Sequence, residues 1–148
     1  MLTEIRNLQE VARCCLAGEN LDPTLSNWLG ESLKSYLERR TDSIEGALGL
    51  SAPRGGVPWW MEAAIRERDA VLRQLARQFF AEHSVSAQAR LIRQRALRYA
   101  ASAWRFDRNR AEMPGHYGGT IHALLWRAFK SGAAMPIGER QLRSVLAH

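Results

Sequence analysis

The 148-residue chain has little cysteine, almost no lysine and no long apolar run. Cys14 and Cys15 are its only cysteines and are adjacent, so they cannot close an ordinary intrachain disulfide and cannot supply a four-ligand zinc pattern. They read as small apolar residues of a reducing compartment. Glu4, Arg6, Asn7, Gln9, Glu10 and Arg13 interrupt the N-terminal apolar residues, so no signal peptide is expected and the same charges argue against a lipoprotein signal around Cys14; no stretch approaches membrane-spanning length. The expectation is a cytoplasmic protein without membrane contact. Val and Ile are sparse and no period-two run is long enough for a strand. Lysine occurs only at positions 34 and 130, against nineteen arginines.

Acidic residues are also scarce, but only in one part of the chain. Residues 1–57 carry six basic and eight acidic side chains, residues 58–82 four of each, and residues 83–148 eleven basic and three acidic. The overall charge of +6 therefore comes from a C-terminal excess of +8. Such asymmetry suits a polyanion, because each arginine placed on a phosphate releases condensed counterions. Arginine-rich genome composition accounts for the shortage of lysine, but not for the missing acids after Glu82.

What is present is helical periodicity and ordinary core material. The hydrophobic fraction is 46% and the charged fraction 24%, as in folded globular chains. The spacing predicts an all-α bundle of about six helices. The first runs over 2–17 with Ile5, Leu8, Ala12 and Cys15 on one face, beside Val11 and Leu16, and ends at Gly18. Asp22-Pro23 supplies an N-cap and a first-turn proline. The second helix extends to about Arg40, with Leu25, Leu29, Leu33 and Tyr36 near one face and Trp28 and Leu37 beside it. A short turn of helix over 43–48 ends at Gly49. The Pro/Gly-rich stretch 51–58 separates this acidic hairpin (residues 1–50, read as an interaction module) from a basic helical domain at 59–148. Trp59 and Trp60 read as packing residues.

From Pro58 to about His83 a long helix is expected to bury Ile65, Leu72, Leu75, Ala76 and Phe79, with acid-first pairs Glu62–Arg66 and Asp69–Arg73 outside. The next stretch, Ser84 to Arg110, reads as one long helix with Ser84 or Ser86 as cap. Val85, Ala89, Ile92, Ala96, Tyr99, Ala103 and Phe106 recur in steps of four and three along a core seam. Arg90, Gln94, Arg98, Arg105 and Arg108 fall on the opposite side as a basic stripe. After a glycine-rich loop, Thr120 is the expected N-cap of a helix carrying Ile121, Leu124, Leu125, Ala128 and Phe129. A final helix from about Ile137 to Ala147 turns Leu142, Val145 and Leu146 inward and Arg140, Gln141, Arg143 and Ser144 outward.

These last three helices resemble a trihelical helix-turn-helix DNA-binding domain over residues 84–148. Gly132 stands as the turn glycine and Ala128 as the small residue four positions earlier. The chain departs from that pattern at Gly138, where the family usually buries an apolar residue, and in a longer turn that includes Pro136. The resemblance implies that the final helix enters the major groove, offering Arg140, Gln141, Arg143 and Ser144 to base edges and phosphates. The Gly118-Gly119-Thr120 backbone would then present free N–H groups to a phosphate. Arg90, Arg98, Arg105, Arg108 and Lys130 complete the expected nucleic-acid-binding set. A plain solvated face on a helical bundle accounts for the same arginines.

Catalytic patterns are not legible. His83, His116 and His122 match no metal-ligand spacing, and the cysteines sit on a core helix with nothing local to activate a thiolate. The Gly-His-Tyr-Gly-Gly-Thr loop lacks the Lys-Ser/Thr ending of a P-loop. The expectation is a non-enzymatic regulator without cofactor that binds nucleic acid, duplex DNA first, with residues 1–50 serving a homodimer or protein partner. The alternative is an adaptor whose arginine face meets an acidic protein.

Overall fold

The computed structural model describes residues 2–136 and 138–148, and its regular secondary structure is all helical, with no strand among the described residues. Among these residues eight α-helices follow one another: α1 (Leu2–Ala17), α2 (Pro23–Leu37), α3 (Ile44–Ala47), α4 (Trp59–Phe79), α5 (Val85–Ala101), α6 (Trp104–Asp107), α7 (Ile121–Lys130) and α8 (Glu139–Leu146). A 3-10 turn spans Gly115–Tyr117. No helix among the described residues is long and apolar enough to cross a membrane. The chain forms two compact units, residues 1–59 and 60–148.

In the first unit, local chemistry sets the helix ends. Asp22 accepts the Thr24 N–H at 2.9 Å and Pro23 opens α2. Gly18 ends α1 at φ +68°, with the Glu19 N–H bonded back to the Cys14 carbonyl at 2.9 Å. At α3, Ser43 caps the Gly46 N–H, Gly49 takes φ +75°, and Leu50 donates to the Glu45 carbonyl, the six-to-one bond of a Schellman ending.

Helix α2 stops three residues short of the expected Arg40. Arg39 adopts φ +58°, and the Arg40 N–H returns to the Ser35 carbonyl at 2.9 Å. An arginine therefore does the work usually left to glycine.

The face of α1 is rotated from the one expected. Cys14 is buried and Cys15 exposed, while Leu16 is 91% exposed. The apolar arc of α1 is wide enough to choose either side, and the buried side runs through Val11 and Cys14. Trp59 donates its indole N–H to Glu45 at 3.1 Å, whereas Trp60, expected to pack, is exposed.

The second unit holds a larger core. Val71, Leu72, Leu75 and Ala76 of α4 meet Ala89, Ile92, Ala96 and Tyr99 of α5, Leu124, Leu125 and Ala128 of α7, and Leu142 of α8. Each closed Val, Leu or Ile side chain of this set contributes about 1.5–3 kcal/mol. Ser84 caps α5 through the Ala87 N–H. Helix α8 packs principally on α5.

Two details of α4 depart from expectation. It ends at Phe79, not His83, and Arg68 lies on its buried seam at 68, 71, 72, 75, 76. Arg68 is held there by Asp69 at 2.6 Å and by the Ala134 carbonyl. Asp69 is thereby taken from Arg73, which donates instead to the Val145 carbonyl at 3.2 Å. The Glu62–Arg66 pair forms as expected.

Candidate nucleic-acid interface

The stretch 84–110 is not one helix. At Ser102 the backbone leaves helical geometry (φ −120°, ψ −100°), and its hydroxyl closes onto the Arg98 carbonyl at 2.7 Å. Helix α5 keeps the expected seam, with Ala89, Ile92, Ala96 and Tyr99 buried, but Phe106 is 74% exposed and Val85 also reaches solvent. Arg90, Gln94 and Arg98 lie at i, i+4 and i+8 on the side of α5 away from Ile92 and are exposed. Arg105 and Arg108, expected to prolong that stripe, are carried instead by the separate turn α6 and the residue after it; both are exposed.

A buried carboxylate fixes α6. Asp107 is 3% exposed and accepts hydrogen bonds from the hydroxyls of Tyr99 at 2.9 Å and Tyr117 at 2.8 Å. Its other oxygen faces Arg110 Nε at 3.4 Å. Burial, and then the bond to Asp107, push both phenols above the ordinary tyrosine range, since ionising either would place a second negative charge beside the carboxylate. Rings of Trp104, Phe129 and His122 pack around Tyr99 at 5.2–6.1 Å. Arg105 and Arg108 thus project from a pinned corner.

Lys130 donates to the Arg108 carbonyl at 3.0 Å and lies over the Trp126 ring at 5.7 Å. Thr120 occupies the N-cap position of α7 without making a side-chain cap bond; its hydroxyl donates to the Tyr117 carbonyl at 2.7 Å. That bond follows from the tight turn at Gly118-Gly119, where Gly119 takes φ +75°.

Helix α8 buries Leu142, half-buries Val145 and Leu146, and exposes Arg140, Gln141, Arg143 and Ser144. Ala128 is fully closed and Gly132 takes φ +85°. The connection from α7 to α8 occupies 131–138, with Ala133 and Pro136 buried. The expected helix start at Ile137 lies outside the described residues, and Gly138 is the N-cap of α8. Ala96, Leu97 and Ala100 border a small cavity with Met135 and Pro136, whereas Gln88 borders another with Leu146 and His148. Helix α8 therefore runs antiparallel to α5, and the basic residues of the two helices occupy the same length of the unit.

Exposed arginines outside any ion pair among the described residues are more numerous in the second unit than in the first. Among the described residues, Arg90, Arg95, Arg98, Arg105, Arg108, Arg140 and Arg143 are exposed and belong to no ion pair. In the first unit Arg13 pairs with Glu10 and Glu19 and Arg40 with Glu38, while Arg6, Arg39 and Arg54 are exposed and outside any ion pair among the described residues. Of the three acids after residue 83, Asp107 is buried under two tyrosines. Arg95 is absent from the expected set because it flanks the seam; a count of unpaired charges would have included it. Among the described residues no group of three or more His, Cys, Asp or Glu side chains could hold a metal ion. Compared with family models, with curated proteins and with solved structures, the chain matches none.

Proposed function

We propose that the second unit binds nucleic acid, duplex DNA first, and that the protein acts as a non-enzymatic regulator. The observation that carries this reading is the set of seven exposed arginines without an ion pair on α5, on α8 and in and beside α6. An arginine left without a carboxylate keeps its full charge and a planar donor fork that matches a phosphate. Arg90, Arg98, Arg105 and Arg108 serve as phosphate contacts, with Lys130 and Thr120 offering secondary ones. Arg140, Gln141, Arg143 and Ser144 of α8 serve as base readers in the manner of a helix-turn-helix recognition helix. Residues 1–50 serve as a homodimer module, a reading supported by exposed Leu16, Leu33 and Leu37.

A second reading is an adaptor for an acidic protein. Exposed Leu97 and Phe106 favour it, since an apolar and arginine mixture is typical of protein interfaces. Anisotropy titration of the full chain with labelled duplex and single-stranded oligonucleotides across a salt series tests the choice. Duplex binding that weakens linearly in log salt supports the DNA reading. Absence of retention on any nucleic acid, with capture of an acidic protein through the same arginines, supports the adaptor.

A further inference from the structure

A cleft of about 250 Å³ opens between the end of α4, the start of α5 and the end of α8. Arg73 and Arg77 enter it from α4, one helical turn apart; Gln88 enters from α5, and His148 follows α8. Ala76 and Leu146 add an apolar wall, and no acidic side chain lines the space.

Three of the four polar side chains are already oriented by main-chain carbonyls. Arg73 Nη1 donates to Val145 at 3.2 Å, Gln88 Nε2 to Phe80 at 2.9 Å, and His148 Nδ1 contacts the Ser144 oxygen at 2.8 Å. Such anchoring lowers the entropy lost when a ligand arrives. Each anchored group keeps further polar capacity: the remaining guanidinium N–H groups of Arg73, the second amide N–H of Gln88, and His148 Nε2. Arg77 makes no side-chain hydrogen bond or ion pair among the described residues and is the freest cation at the cleft.

We infer that this cleft binds a small phosphomonoester. Two guanidiniums with no acidic side chain in the lining select an anion, and their fork geometry favours phosphate oxygens. The space exceeds a bare phosphate yet falls below the ~300–1,000 Å³ of pockets that enclose drug-sized ligands. The apolar wall then meets the organic body. None of these side chains is among the nucleic-acid contacts proposed above.

The test is calorimetric titration of the full chain with phenyl phosphate and with inorganic phosphate, in chloride buffers of matched ionic strength. One saturable site is expected, tighter for phenyl phosphate. Arg77→Gln, which removes no internal contact, should weaken it at least tenfold, and Arg140→Gln should leave it unchanged. The inference fails if neither ligand gives saturable heat, if Arg77→Gln binds as tightly as the parent, or if Arg140→Gln weakens binding equally. It also fails if a 5′-phosphorylated oligonucleotide shows the Arg77 dependence while phenyl phosphate does not bind, because the cleft would then be part of a nucleic-acid surface.

Discussion

The hydroxyl of Tyr99 donates to Asp107 Oδ2 across 2.9 Å, joining the last turn of α5 to α6 around the break at Ser102. Tyr117 donates to the same oxygen from the far side of the loop. Asp107→Ala strands two buried hydroxyls, at about 1–3 kcal/mol each, and should lower the thermal midpoint of the second unit clearly. Asp107→Asn retains an acceptor oxygen and should cost less. Equal melting of both variants and the parent would show that this corner is not held by Asp107.

The same bonds give a pH dependence. Both phenols have their ionisation pushed above the ordinary tyrosine range by burial and by Asp107. A pKa raised on folding means that the folded state holds its proton more tightly than the unfolded chain. The stabilisation is complete below the unfolded tyrosine value of about 10 and is lost as pH rises beyond it. Urea unfolding at successive alkaline pH values should show stability falling above that value. Tyr99→Phe should lose part of the slope.

Ile92 and Phe106 separate the seam from its apparent continuation. Ile92 is fully closed, so Ile92→Ala should cost about 2–5 kcal/mol. Phe106 lies beyond the break and is exposed, so Phe106→Ala should change stability by no more than about 0.5 kcal/mol. Chemical denaturation of the two variants reads both values, and a large loss for Phe106→Ala would restore the single long helix.

Arg39 takes a left-handed φ of +58° at the end of α2. A non-glycine residue there costs about 1–2 kcal/mol, partly offset in any glycine variant by greater unfolded-chain entropy. Arg39→Gly should therefore slow amide hydrogen exchange in α2 by a few-fold. Faster exchange would mean that the arginine side chain stabilises this ending.

The helices are legible in the sequence wherever a helix end has a local cause, as at Gly18, Asp22-Pro23, Ser43–Gly49 and Ser84, or a seam is long, as at Ala89 to Tyr99. The break at Ser102 is not legible, because Ala103 and Phe106 continue the four-three spacing beyond it. Buried Asp107 and Arg68 also escape a reading of local pattern. Each has one near ion-pair partner, Arg110 for Asp107 and Asp69 for Arg68. The tyrosine hydroxyls that bond Asp107, however, lie eight and ten residues away and the carbonyl that bonds Arg68 sixty-six, so only the folded chain brings those groups together. The basic residues of the candidate interface are legible as a count, since acids are nearly absent after Glu82. Their division between α5 and a separately pinned α6 is not, nor is the cleft at Arg73 and Arg77, which depends on α8 returning along α5.

The central claim, that the unpaired arginines meet nucleic-acid phosphates, is tested most directly by the salt slope of duplex binding in single-arginine variants. For the parent, log affinity should fall linearly with log salt concentration. Arg98→Ala and Arg105→Ala should each reduce the steepness by roughly one unit and weaken all sequences alike. Arg140→Ala and Arg143→Ala should in addition relax sequence preference, at about 1–3 kcal/mol for each lost base contact. A parent protein with no salt-dependent binding, or slopes unchanged in all four variants, would contradict the account.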